Sequence, residues 1–237
     1  MALAENPVQN EVDSRLAETI AILKKGLSLV RGEVALACSF SVEDIVVIDI
    51  LQQVAPDVRI FALDTGRLNE ETYEAAEQVS QRYGIAIDWY FPERQAVEDL
   101  ERREGLFSFR ESLEKRHACC HIRKIEPLQR ALKGLAGWLT GLRREQSVTR
   151  NDLLAIEVDA AHGGILKLNP LLEWSEAELW QYAEQRRLPV NRLHRQGYPS
   201  IGCAPCTRAI EPGEHPRAGR WWWEDPAHKE CGLHRRN

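Results

Sequence analysis

Two cysteine clusters and one outlying cysteine are the residues of this sequence whose types and spacing could do chemistry. Cys119 and Cys120 are adjacent in RHACCHIRK, and Cys203 and Cys206 form a C-x-x-C in SIGCAPCTR. Four thiols in two clusters suit a metal or iron–sulfur centre, which needs several thiolates converging on one place. Ligand count alone does not separate zinc from an iron–sulfur cluster. Cys231, beside a glycine in KECGLHRRN, lies outside both clusters. It reads as a nucleophile on a tail that must move.

A disulfide framework is the competing explanation. Neighbouring cysteines pair only with strain, and 237 residues can bury a core without covalent staples. Cys38, at the end of an apolar run, reads as a small buried apolar residue. MALAENPVQNEVDS lacks a basic stretch followed by an apolar one, so no signal peptide is expected. No run approaches the ~18 apolar residues of a membrane span. Reduced thiols in a cytoplasmic protein follow. A net charge of -5 offers no electrostatic footprint for nucleic acid.

The elements that must position these thiols alternate. EVALACSF (33–40), VRIFALD (58–64) and IAIDWYF (85–91) read as strands, with AGWLTG (136–141) and DLLAIEVD (152–159) as two more. Residues 41–54 and 69–83 read as helices, the second ending at Gly84. Such alternation predicts an α/β fold with a mostly parallel sheet covered on both faces. Ser175 and Glu178 form a capping box, Trp174 and Leu179 a hydrophobic staple, and the helix they open should end before Pro189. Beyond about residue 189, glycine, proline and basic residues thicken, which predicts a less regular segment.

Ligands of such sheets sit at the carboxyl ends of the strands, and three loops there carry polar residues. In Ser39-Phe40-Ser41-Val42-Glu43-Asp44, Ser41 is placed as an N-cap, and hydroxyls and backbone N–H groups could cradle a phosphate. A plain capped helix explains the loop as well, and it is not a Walker motif. In Leu63-Asp64-Thr65-Gly66-Arg67, Gly66 permits a tight turn and the Leu63 backbone could read a base edge. In Gly141-Leu142-Arg143-Arg144-Glu145-Gln146-Ser147, two arginines could hold an oxyanion or simply face solvent.

More cations lie near the thiols. If the cysteine pair opens a helix running through Ala131, Lys124 shares the face of Cys120, four residues on. A thiolate-held cluster is anionic, so a neighbouring cation is expected. Arg217 and Arg220 follow the C-x-x-C, and His234 lies three residues beyond Cys231. Each could be a surface cation, but a cationic surrounding favours thiolate over thiol.

With these residues in hand, the chain resembles the assimilatory adenylyl-sulfate (APS) reductases, the iron–sulfur branch of the sulfonucleotide reductases. The matching segments are SFSVEDIV, LDTGRL, Cys119-Cys120 with Lys124, GLRREQS, LPVNRLHRQGYPSIGCAPCTR, RAGRWWWE and KECGLH. The resemblance implies a Rossmann-like adenine nucleotide alpha-hydrolase fold. It implies one 4Fe-4S cluster per subunit on Cys119, Cys120, Cys203 and Cys206. Residues 1–200 would form the nucleotide-binding part and 201–237 a C-terminal segment and mobile tail, within one domain. Phosphoadenylyl-sulfate (PAPS) reductases share the fold and tail but typically lack the cysteine pair and the C-x-x-C.

The same resemblance implies an activity. Cys231 attacks the sulfur of adenylyl sulfate, releasing AMP, and thioredoxin or another dithiol protein frees sulfite. Lys124 and His234 join Cys231 in catalysis, while Arg143, Arg144, Arg217 and Arg220 bind phosphate and sulfate oxygens. Ser39 and Ser41 line the nucleotide pocket and Leu63 meets the adenine. No nucleic acid or membrane is expected as partner, and homo-oligomerisation is left open. Two rivals come from other classes. A zinc-stabilised nucleotidyl-transferring or tRNA-thiolating enzyme would want a Ser-Gly-Gly loop, which Ser39-Phe40-Ser41 is not. A metal-binding redox sensor has no need for the arginines.

Overall fold

The computed structural model of the protein describes residues 7–146 and 152–225. Its centre is a six-stranded sheet of β1 (Val34–Cys38), β2 (Arg59–Leu63), β3 (Asp88–Tyr90), β4 (Gly137–Leu139), β5 (Ile156–Asp159) and β6 (Ile165–Leu168), in the order β3-β2-β1-β4-β6-β5. All pairings are parallel except β5 with β6. From β1 the chain steps outward to β2 and β3, then returns to place β4 on the other side. The loops leaving β1 and β4 therefore diverge, opening a crevice at the carboxyl edge.

Both faces are covered, which is why the central strands read as apolar runs rather than alternating ones. On one face α2 (Val42–Val54) packs with α1 (Pro7–Leu29) and α7 (Glu176–Gln185). Leu36, Ile45, Ile48, Leu139 and Trp174 join in that core. Asp49, on the buried α2, is satisfied by the hydroxyls of Tyr182 (2.7 Å) and Tyr83 (2.9 Å) and by Arg186 Nε (3.1 Å). On the other face α6 (Glu126–Leu132) lays Leu128, Ala131 and Leu132 against Phe61 and Trp138. Among the described residues no helix is long and apolar enough to cross a membrane.

The five expected strands are present, four trimmed at both ends and the fifth at its start. The third keeps only Asp88–Tyr90, because an edge strand pairs on one side. Of the stretch 152–159, Ile156–Asp159 forms an antiparallel edge, paired to a sixth strand that the sequence reading did not include. Gly163 and Gly164, both with positive φ, turn the chain between them. The helix α3 (Glu70–Tyr83) ends on Gly84 in the left-handed conformation, as expected.

The cysteine pair departs from expectation. It does not open a helix but closes α5 (Leu113–Cys120), whose first turn Ser112 caps by accepting from Lys115 N–H at 3.1 Å. A π-helical turn, His121–Ile125, then leads into α6. Pro127 has no N–H to donate, and its ring would crowd the carbonyl one α-turn back, so the run widens there.

The capping box forms as read: Ser175 N–H donates to Glu178 (2.6 Å) and Glu178 N–H to Ser175 Oγ (3.2 Å). Glu178 also pairs with Arg15 at 3.1 Å, tying α7 to α1. Ser175→Ala should therefore cost about 1 kcal/mol in urea unfolding; an unchanged midpoint would mean the cap does not hold α7.

Candidate functional site

A cavity of about 350 Å³ occupies the crevice between the β1 and β4 loops. Ser39, Ser41, Leu63, Lys124, Arg143, Arg217 and Arg220 all line it. Arg144 does not: its guanidinium is held by Glu173 (2.6 Å) and the Leu153 carbonyl (3.2 Å). Of the two arginines read as an oxyanion clamp, Arg143 alone stays at the cavity, and it too is engaged. Its Nε and Nη2 each lie 3.1 Å from Glu43 Oε1, which also accepts from Gln146 Nε2 at 2.7 Å. Arg143 and Glu43 are both buried, so neither charge can be stranded cheaply.

The serine loop is built differently from a phosphate cradle. Ser41 is the N-cap of α2, but its hydroxyl makes no capping bond. Instead Asp44, from the first turn, reaches back. Its Oδ2 accepts from Ser39 N–H and Ser39 Oγ, both at 2.6 Å, and from Ser41 Oγ at 3.4 Å. The donors that could hold a phosphate already hold a carboxylate. A side chain at Gly141 would collide with Asp44, so the β4 loop comes this close only with glycine. Phe40, between the serines, takes a positive φ of 59° and stacks on Trp89 at 5.6 Å.

The four clustered thiols meet in a second, narrow cavity. Cys119 and Cys120 reach it from the end of α5. Cys203 and Cys206 reach it from a 3-10 turn whose Ala204 N–H bonds the Arg67 carbonyl at 2.8 Å. The five described cysteines are not joined as disulfides. No three thiols, imidazoles or carboxylates among the described residues close on one point as ligands to a single ion would. The thiols ring a space instead. Lys124, Cys203 and Arg220 line both cavities, so one wall separates the thiol ring from the larger pocket.

Cations surround the ring: Arg67, Arg116, Arg123, Lys124 and Arg220. Arg116, fully buried, is held by both oxygens of Glu224 at 2.9 Å. Its guanidinium lies 4.6 Å from the Trp221 ring, and that of Arg220 4.7 Å from the same ring. Arg123 pairs with Glu101 of α4 (Arg94–Glu104) at 2.6 Å and Arg67 with the same carboxylate oxygen at 2.9 Å. Burial would raise the Cys203 thiol, but Lys124, the Thr65 hydroxyl 3.3 Å away, Arg220 and Arg123 hold it below its ordinary value. Cys206 is pushed up to about 12 by burial and by Cys203. Cys119 is raised by burial, against the pull of Arg123 and Arg67. Arg67 Nη1, Arg123 Nε and Trp221 Nε1 are buried with no hydrogen-bond partner among the described residues. Four thiols with unsatisfied donors behind them fit an anionic, sulfur-rich group.

Three of those cations were missed in the sequence, although the spacing rule applied to Lys124 would have found two. Arg123 lies four residues after Cys119, and Arg116 four before Cys120. Arg67 stood in a loop already singled out. Cys231 and His234 lie outside the described residues.

Residues 33–209 match the phosphoadenosine phosphosulfate reductase domain. The chain belongs to that family. Among its relatives is the adenosine 5'-phosphosulfate reductase of Allochromatium vinosum, 55% identical over 203 residues, a match covering 86% of this chain and 79% of the relative. The protein of the same name from Neisseria meningitidis is 44% identical over 233 residues, covering 97% and 95%. The crystal structure of the phosphoadenylyl-sulfate (PAPS) reductase from Candida auris shares the fold, with a TM-score of 0.69 at 24% identity over 89% of this chain and 99% of that one. Within the sulfonucleotide reductases, the chain thus falls with those named for adenosine 5'-phosphosulfate.

In this member of the family, burial raises Asp44 from an ordinary 3.8 to about 6, with the Ser39 bonds pulling the other way. The folded state then binds the proton more tightly than the unfolded one, so stability is lost as pH rises from about 4 to about 6. Asp44→Asn removes that titration. Relative to wild type, the variant should gain up to about 3 kcal/mol in urea unfolding between pH 4 and pH 7. Parallel pH profiles for the two proteins would refute it.

Proposed function

We propose that this protein reduces adenylyl sulfate to sulfite and AMP, with electrons from a dithiol protein of the thioredoxin type, in assimilatory sulfate reduction. The observation that carries the reading is the wall shared by the two cavities. A pocket large enough for a nucleotide ends on Lys124, Cys203 and Arg220, directly against a ring of four thiols. The names of the relatives supply the substrate, and a reducing, cytoplasmic setting suits thiols that are not joined in disulfides.

Cys231 is the nucleophile in this reading. Its thiolate attacks the sulfur of the sulfate group. The bond from that sulfur to the bridging phosphate oxygen breaks, AMP leaves, and Cys231 carries an S-sulfo group. A thiolate of the partner then attacks the Cys231 sulfur, releasing sulfite and forming a mixed disulfide. The partner's second thiol displaces Cys231, so the two electrons come from dithiol going to disulfide. Lys124, Arg217 and Arg220 neutralise the phosphosulfate, and His234 assists near the reacting sulfur. Leu63 lies against the base, and Ser39 and Ser41 line the pocket.

Cys119, Cys120, Cys203 and Cys206 would hold one 4Fe-4S cluster. A ring of thiols around a space suits a polynuclear centre, whose ligands stand further apart than those of one zinc ion. When bound, such a cluster supplies a fixed anionic charge behind Lys124. Lys124 then sits between two negative groups and orients the sulfate end for attack.

Cys231→Ser should abolish sulfite release from adenylyl sulfate while keeping the iron, whereas Cys206→Ser should lose iron, sulfide and the brown colour. Iron loss in Cys231→Ser, or full iron in Cys206→Ser, would reverse the assigned roles. Wild-type protein mixed with adenylyl sulfate alone should gain about 80 Da, mapping to Cys231.

Lys124→Ala should lower kcat on the order of a hundredfold or more, since one charge-assisted contact in a shielded site is worth roughly 3 kcal/mol. Iron content should change little. Turnover near that of wild type would remove Lys124 from the mechanism.

A further inference from the structure

The three cations assigned to the phosphosulfate are placed by different means. Lys124 is set by the π-helical turn. Arg220 is buried, with Nη1 on Ser200 Oγ (3.3 Å) and on the Ile201 carbonyl (3.2 Å). Arg217 is half-buried and stands in the loop EHPRAG, which carries a histidine, His215, that also lines the cavity. The sequence reading did not single out His215, and nothing in the reaction described so far uses it.

The loop is closed at its base and braced within. Thr207 and Arg220 form an antiparallel bridge, and Arg208 N–H donates to the Gly219 carbonyl at 3.0 Å. A side chain at Gly219 would strike the Arg208 carbonyl, so the two arms of the loop meet this closely only with glycine there. Between them, Arg208 Nη1 and Nη2 grip the two oxygens of Glu214 at 2.9 and 2.8 Å. The chain then turns at once. Ala218 N–H donates to the His215 carbonyl at 2.7 Å, and Arg217 N–H donates to His215 Nδ1 at 3.1 Å. Pro216 supplies the fixed φ that suits the second position of such a turn. His215 thus holds the turn by its main chain and by its ring, and Arg217 is the cation the turn presents to the cavity.

We propose that His215 is a positioning residue for Arg217: its Nδ1 fixes the backbone from which the Arg217 guanidinium meets the phosphosulfate. The inference rests on the sulfonucleotide reading above and deepens it. His215 and Pro216 are exposed, so this turn is ordered by its hydrogen bonds rather than by a core packed around it. A guanidinium on a long stem binds an oxyanion well only where little freedom remains to be lost. Nδ1 accepts only in a ring that carries its proton on Nε2. An asparagine side chain can accept from the N–H two residues on in the same way, as an Asx turn, whereas alanine cannot. Exchanging imidazole for amide therefore separates the turn bond from any direct contact of the ring with substrate.

The test is calorimetric, on the intact protein, with adenosine 5'-diphosphate as the probe. Its two linked oxyanions stand in for the phosphate and sulfate of adenylyl sulfate. His215→Ala should weaken the diphosphate about fivefold, as expected for the loss of one hydrogen bond. His215→Asn should stay within about twofold of wild type, because the amide restores the bond. In an Arg217→Ala background, His215→Ala should weaken binding no further, since its effect runs through Arg217. Three results would each overturn the inference: full affinity in His215→Ala, a His215→Asn protein as weak as His215→Ala, or additive losses in the double variant. Wild type that does not bind the diphosphate would overturn it together with the nucleotide reading. A failure of the activity alone would show separately, as wild type that binds the diphosphate yet forms no sulfite from adenylyl sulfate.

Discussion

Gathering four thiols in one narrow, buried space is unfavourable unless positive charge comes with them. Burial first, and then the neighbouring Cys203, push Cys119 and Cys206 above their ordinary values. Cys203, faced by Lys124, Arg220 and Arg123, is lowered instead. The cations that make this possible are buried or half-buried themselves and must be anchored in turn: Arg116 on Glu224, Arg123 and Arg67 on Glu101, Arg220 on Ser200 and the Ile201 carbonyl. A chain of constraints thus runs from sulfur to guanidinium to carboxylate. It binds α5, the β2 loop, the C-x-x-C turn and the tryptophan run together, because an uncompensated buried charge at any link is costly.

The larger cavity depends on that arrangement for one of its ends. Lys124 belongs to the π-helical turn, and the turn follows from a proline placed just inside the next helix. Backbone geometry and charge therefore meet at one residue, which looks into the nucleotide-sized pocket on one side and the thiol ring on the other. The opposite wall owes its form to sheet topology. Only where the chain reverses direction across β1 and β4 can two adjacent loops separate enough to form a crevice. Gly141 then lets those loops approach at the point where Asp44 turns back.

Much of the fold was legible in the sequence, because burial on both faces writes a strand as a short apolar run and capping chemistry is local. The strands around Leu36, Phe61 and Leu139 and the Ser175 cap were readable for that reason. The sixth strand was not, since Ile165–Leu168 is four residues long and contains the buried Lys167, whose partner Glu157 is supplied by the neighbouring strand. The helix carrying the cysteine pair was misplaced at its start: it was read as opening at the pair, whereas α5 begins at Leu113 on the Ser112 cap and a π-helical turn follows the cysteines.

The sequence by itself determined which residues could do chemistry: thiols, lysine and arginines are rare enough in such spacing that their types alone mark a centre. It could not decide which of them meet, since Cys120 and Cys203 are brought to one cavity by contacts between distant segments. Nor could it decide which charges are available. Arg143 and Arg144 are adjacent in the chain and equivalent in type, yet Glu43 draws one to the cavity and Glu173 draws the other away. Likewise a serine loop that reads as a phosphate cradle is closed by Asp44. Whether a donor faces a ligand or an internal carboxylate depends on burial and on neighbours, and only the tertiary structure supplies those.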